Sequence, residues 1–213
     1  MEGFFLKYIW INPVVDRMYE RFELNEILLR NGYRRVDCNI DWSKEVKEKY
    51  IKLLAKSDKS KTIIDMRCPT ACKIPKSMNQ NKDFIFPDIE PILIHCAREL
   101  SARQDLLDQE KIITTPCKAL AEMGNNLKLK NTQFFSWSDF IKASNIDIEI
   151  QNNILTPIPL GYFKSLGVNV GSISGEEEIV RYLELKNWES VRLLEMLYCD
   201  KGCHNGDGVM QNG

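Results

Sequence analysis

Apolar and polar positions along the chain switch between two periods, one near two residues and one near three and a half. Phe4 to Ile11 is a short apolar run, interrupted by Lys7 and followed by Pro13, and reads as a first β-strand. Val15 to Arg30 has helical spacing and ends at Asn31-Gly32, a pair that tolerates the positive φ of a C-terminal cap. Tyr33 to Ile40 places Val36, Cys38 and Ile40 on one face and reads as a second strand. Ser43 caps a helix to Ser57, with Val46, Tyr50, Leu53 and Leu54 on its apolar side. Thr62 to Met66 is a buried type of strand that delivers the chain to Cys68.

The second half continues in the same manner. Ile89 to Ala102 reads as a helix, and Lys111 to Thr115 as a strand ending at Pro116-Cys117. Asp139 to Ser144 is a short helix after Ser138, and Pro159 to Leu166 is helical and closed by Gly167. Glu176 to Lys186 is a further helix, and Val191 to Tyr198 a strand ending at Cys199. Strands that alternate with helices imply an α/β protein of parallel βαβ units. Cys68, Cys117 and Cys199 each follow a strand end, the edge of a parallel sheet at which ligands bind.

Charge and compartment narrow the function classes. The chain has 213 residues, 44% of them hydrophobic, enough for one large core or two small lobes. Its 29 basic and 30 acidic residues give no electrostatic reason to expect nucleic acid or an anionic membrane. The basic stretch from Lys44 to Lys61 alternates with acidic and apolar residues and reads as a solvated helix face. The N-terminal apolar run is too short and too charged for a signal peptide or a membrane span, which points to the cytoplasm. Seven cysteines, an odd number, suit a reducing compartment and metal ligation better than a disulfide framework.

The most specific motif is C-terminal: Glu195-Met196-Leu197-Tyr198-Cys199-Asp200-Lys201-Gly202-Cys203-His204-Asn205-Gly206-Asp207-Gly208. Two cysteines four positions apart suit one metal centre, and the glycines let backbone N–H groups close around a negatively charged cluster. The plain alternative is a glycine-rich tail with two incidental cysteines. Thr115-Pro116-Cys117-Lys118 holds one thiol in a rigid turn. Arg67-Cys68-Pro69-Thr70-Ala71-Cys72 adds another strand-end cysteine. Cys68 and Cys72 with Cys199 and Cys203 also satisfy the ligand count of a zinc site. Cys38, Cys72, Cys96 and His95 read as packed core residues, and His204 as either exposed or a donor to a cluster sulfur.

The order Cys-Pro, Pro-Cys and Glu-Met-x-x-Cys-x-x-Gly-Cys-x-x-Gly-x-Gly resembles the three signature motifs of the [FeFe]-hydrogenase large-subunit catalytic domain. Connecting stretches agree: Leu29 to Tyr33, Phe86 to Leu93 with Ala97-Arg98, Pro159 to Gly161, Leu166 to Val168, and Ser174-Gly175. The resemblance spans residues 25 to 208. It implies two α/β lobes with a metal-site cleft between them, divided here as 1–105 with the first motif and 106–213 with the second and third. It implies that Cys68, Cys117, Cys199 and Cys203 hold a [4Fe–4S] cluster, and that Cys203 bridges to a two-iron subcluster where one is present.

The chain departs from active members of that family at telling positions. The proton-relaying cysteine expected before Cys68 is Arg67, and the lysine expected to bond a cyanide is Leu120 with Lys118 nearby. The relay acid falls at Met123, beside Glu122. Two residues separate Met196 from Cys199, a spacing similar to that of the sensory members. The expected function is a cluster-binding, hydrogenase-like protein with little hydrogen turnover, working in electron transfer or in redox or hydrogen sensing with a ferredoxin-like or signalling partner. The alternatives are a minimal active hydrogenase and a zinc-binding or metal-free scaffold.

Overall fold

The computed structural model describes residues 6–78, 81–149, 158 and 160–209. In chain order its elements begin with β1 (Lys7–Trp10), α1 (Pro13–Asp16), α2 (Arg21–Arg30), β2 (Tyr33–Arg35), α3 (Trp42–Lys56), β3 (Thr62–Ile64), α4 (Lys73–Ser77) and β4 (Phe84–Ile85). They continue with α5 (Ile92–Ala102), β5 (Lys111–Thr115), α6 (Lys118–Asn125), β6 (Thr132–Ser136), α7 (Trp137–Ser144), β7 (Val170–Ser174), α8 (Glu176–Glu184) and β8 (Leu193–Leu197).

The strands form two sheets of four, ordered β2-β1-β5-β6 and β4-β3-β8-β7. Every pairing is parallel, for example Ile9 with Ile112 in the first sheet and Ile64 with Leu194 in the second. The chain is therefore an α/β protein with two parallel sheets flanked by helices. Each sheet belongs to one compact unit: residues 1–40, 93–157 and 204–213 form the first, and 41–92 with 158–203 the second. The expected cut between 105 and 106 is thus replaced by interleaved segments. Parallel strands are joined by long crossovers, and one such crossover, from β2 to β5, carries β3 and β4 into the other sheet.

In the first unit the expected helix from Val15 to Arg30 is two helices. Asn12 accepts hydrogen bonds from the Val14 and Val15 amides and starts α1, and Glu20 precedes α2. The break has a packing reason. Val14, Val15, Met18 and Tyr19 are buried, as are Leu24 and Leu28. At about 100° per residue, one continuous helix would set those two faces roughly 130° apart, and the break brings both inward. β2 is shorter than expected because the chain docks on α5 beyond Val36: Glu99 accepts from the Asn39 and Ile40 amides, and Arg103 donates to the Asp37 carbonyl. The core gathers Ile9, Leu24, Leu28, Leu100 and Ile113 with Phe134, Trp137 and Phe140. Phe4 and Phe5, expected in the first strand, lie outside the described residues.

In the second unit Asp41, two residues before the expected Ser43, caps α3 by accepting from the Lys44 amide. One apolar cluster joins Ile64, Ala71, Cys72, Phe84, Ile179, Leu183, Trp188, Leu194 and Met196. A second joins Val46, Tyr50, Ile63, Phe163 and Leu193. Residues 160–166 are turns and a short 3-10 segment rather than a regular helix, and Pro159 lies outside the described residues.

Candidate metal centre

In the second unit β3 and β8 are the two central strands and run side by side. The chain leaves their carboxyl ends toward Cys68 and Cys199, so the first and third motifs emerge from neighbouring strands. The Asp65 amide prolongs the ladder by donating to the Leu194 carbonyl, and the Met66 amide donates to the Tyr50 hydroxyl at 2.8 Å. Cys68 then opens a tight turn in which the Cys72 amide donates to the Cys68 carbonyl at 3.1 Å.

The Cys68 thiol sits inside that turn. Burial pushes its pKa up, and the backbone amides of Ala71, Tyr198 and Thr70 pull against that. Tyr198 immediately precedes Cys199, so the backbone of the third motif acts on the sulfur of the first. Such N–H donors favour a thiolate and are the usual means of stabilising cluster sulfur in a buried place.

Beyond Cys199 the backbone reverses. The Gly202 amide donates to the Cys199 carbonyl at 3.1 Å, and Lys201 and Gly202 take φ of 58° and 122°. The second of these is open to glycine and strained for other residues. The turn leads to Cys203, which starts a short 3-10 segment through His204 to Asn205. Cys199, Cys203 and His204 are all half-buried.

Cys72 behaves differently. Only 2% exposed, it donates its thiol hydrogen to the Asp65 carbonyl at 3.2 Å, and burial pushes its pKa well up. It is a packed core thiol, as the sequence suggested, which removes one member of the Cys68–Cys72–Cys199–Cys203 zinc set. Cys38 and Cys96 sit together in the first unit, away from all three motifs in sequence, and His95 is buried in α5.

Cys117 occupies the N-cap of α6 in the first unit. The end of the third motif packs on this turn. Asp207 accepts from the Lys118 amide at 3.0 Å, Gly208 donates to the Pro116 carbonyl at 3.2 Å, and the Ser138 amide donates to Gly208 at 2.7 Å. A Cβ on Gly208 would stand 2.6 Å from Ser136 Cβ and 2.9 Å from Cys117 Cα, so only glycine fits. Leu120 is buried on α6, while Lys118 and Glu122 are exposed and Met123 is half-buried.

Sequence reasoning missed the polar core under the first motif. The Arg67 guanidinium, 7% exposed, donates to Asp65 through Nε at 2.8 Å and to Glu195 through Nη2, and both carboxylates are fully buried. It also stacks over Tyr162 at 4.3 Å and Phe163 at 4.9 Å. Glu195 accepts further bonds from the Gly161 and Tyr162 amides and from the Ser172 hydroxyl. Burial raises the Asp65 pKa, with Arg67 opposing it. A carboxylate inside the strand Leu-Leu-Glu-Met-Leu was the available signal, because an acid in an otherwise apolar central strand must find a partner.

Among the described residues, no three His, Cys, Asp or Glu side chains form a group that could hold a single metal ion. Also among them, no helix is long and apolar enough to cross a membrane. Comparison of the chain with protein-family models, curated proteins and solved structures gives no match.

Proposed function

We propose that this chain is a hydrogenase-like iron–sulfur protein in which Cys68, Cys199, Cys203 and Cys117 hold a [4Fe–4S] cluster. The observation that carries the reading is the pairing of β3 with β8, the two central strands, which brings the first and third cysteine motifs to neighbouring strand ends. The donor set suits the group. Iron displaces the thiol proton outright, so the burial that raises the Cys68 pKa becomes a low-dielectric setting for a cluster, with backbone amides beside that sulfur. A four-iron cubane is also wider than one ion, so its thiolates need not crowd as the ligands of a single zinc do.

The cluster supplies one-electron redox chemistry when bound, and the chain's own groups determine what else is available. Arg67 stays protonated, and its guanidinium is committed to Asp65 and Glu195. It offers no proton relay at the position where the resembled enzymes have a cysteine, and Leu120 offers no charge to hold a cyanide. The function we assign is electron transfer or redox or hydrogen sensing with little hydrogen turnover, together with a redox partner protein. The cytoplasm is the compartment that suits seven thiols.

Anaerobic purification followed by iron and sulfide analysis and infrared spectroscopy tests the assignment. The expected result is a brown protein with about four irons per chain, a broad cubane absorbance and no CO or cyanide bands. Those bands with hydrogen evolution would instead indicate the minimal hydrogenase. A colourless protein with stoichiometric zinc would overturn both.

A further inference from the structure

Two cysteines that the cluster does not use face each other in the first unit. The Cys38 thiol donates to the Cys96 carbonyl oxygen at 3.9 Å, and the Cys38 side chain is close enough to raise the Cys96 pKa. Cys38 is half-exposed in the stretch after β2, and Cys96 is 5% exposed in α5. The backbone on either side of Cys38 is tied to the helix that carries Cys96. Arg103 donates to the Asp37 carbonyl at 2.8 Å, and Glu99 accepts from the Asn39 amide at 2.6 Å and the Ile40 amide at 3.3 Å. The pair also sits where the chain changes units: it leaves the first unit after Ile40 and returns at Leu93. A link between Cys38 and Cys96 would close the whole 41–92 excursion into one covalent loop.

We propose that Cys38 and Cys96 are a reversible redox pair, oxidised by a peroxide to an intramolecular disulfide that clasps the two crossings of the chain. Attack on the peroxide falls to Cys38, because it is the more accessible, while the neighbouring Cys38 side chain and burial hold Cys96 protonated. In the first step Cys38, as thiolate, bonds to one peroxide oxygen, the O–O bond breaks, and the leaving oxygen departs as water once protonated. Cys38 is now a sulfenic acid. In the second step Cys96 gives its proton to solvent and attacks the Cys38 sulfur. The S–S bond forms, the S–O bond breaks, and hydroxide leaves to become a second water. Two thiols are oxidised by two electrons, and one peroxide is reduced. A dithiol such as dithiothreitol reverses the reaction by exchange.

This inference is independent of the cluster, and its test keeps the two apart. The full chain, purified anaerobically, is treated with one equivalent of hydrogen peroxide, alkylated with N-ethylmaleimide and digested for mass spectrometry without reduction. The expected product is a Cys38–Cys96 linked peptide, lighter by two hydrogens than the sum of its parts, lost on dithiothreitol treatment and absent from Cys38→Ser. Oxidised wild-type protein should also melt at a higher temperature than the reduced form, a shift that Cys38→Ser does not show. The proposal is overturned if both cysteines remain alkylated, if Cys38 carries sulfinic or sulfonic acid while Cys96 stays alkylated, or if either one links to a different cysteine. The readout is a map of the wild-type peptides, so it does not depend on any variant folding. Iron content measured on the same sample reports separately on the cluster.

Discussion

Replacing Arg67 by Met removes the one cation between two buried carboxylates while keeping most of the apolar volume that stacks on Tyr162 and Phe163. Glu195 would retain the Gly161, Tyr162 and Ser172 donors, whereas Asp65 would keep only the Arg67 backbone amide at 3.1 Å. Two charge-assisted hydrogen bonds at about 1.5–3 kcal/mol each are lost. The expected cost is therefore about 3–6 kcal/mol, close to the usual penalty of about 3–5 kcal/mol for orphaning a buried charge, out of a total stability of about 5–15 kcal/mol.

The pH dependence carries a definite sign. Burial already places the folded-state pKa of Asp65 above its unfolded value, so this group's contribution is fully present below the unfolded value and is lost as pH rises through the folded one. Without Arg67, the charge that lowers that pKa is gone. The folded value climbs further, and each added unit costs about 1.4 kcal/mol at pH above it. Arg67→Met should thus be much closer to wild type at about pH 5 than at about pH 8. Urea unfolding followed by circular dichroism at both pH values measures this, and Arg67→Lys, which keeps the charge but loses the planar fork, should fall between. A loss below about 1 kcal/mol, or one equal at both pH values, would show that water reaches the carboxylates and would refute the buried-network account.

Four further outcomes follow from the geometry. Cys68→Ser and Cys199→Ser should each lower bound iron well below about four per chain, whereas Cys72→Ser should leave it unchanged and cost only stability, as iron analysis beside a melting curve would show. Gly208→Ala should destabilise the first unit by about 1–3 kcal/mol, because the new methyl meets the Cys117 and Ser136 positions rather than a flexible side-chain end; Asp207→Ala should cost about 1 kcal/mol for the lost amide acceptor at α6. Gly124→Ala should also melt lower, since its Cβ would lie 2.2 Å from the Phe134 ring, and a melting temperature equal to that of the wild type would contradict this packing.

The legible parts of the chain were those where local chemistry suffices. The strands β3, β5 and β8 stood out because central strands of a parallel sheet are buried on both faces and need unbroken apolar runs. Cys68, Cys117 and Cys199 could therefore be put at strand ends from sequence alone. β6 and β7 did not stand out, because each is an edge strand with one neighbour. Thr-Gln-Phe-Phe-Ser and Val-Gly-Ser-Ile-Ser carry too little apolar signal for that position to show.

What periodicity could not reach is whatever depends on residues far apart in sequence. The interleaving of the two units follows from which strand pairs with which, and a βαβ pattern reads the same whether the next strand joins the present sheet or another. Cys68 and Cys72 are equal as letters. The Asp65 carbonyl and the apolar cluster draw Cys72 inward, while three amide groups, one of them from Tyr198, surround Cys68. Arg67 could be read as a lost relay, but its structural role rests on Glu195, 128 positions away. The sequence by itself determined the α/β class and the candidate ligands, because burial on a central strand and the turn chemistry beyond it are local. The tertiary structure alone decided which thiols receive amide donors and which charges are buried together, because a sulfur or a guanidinium is stabilised by whatever groups folding brings within hydrogen-bond reach.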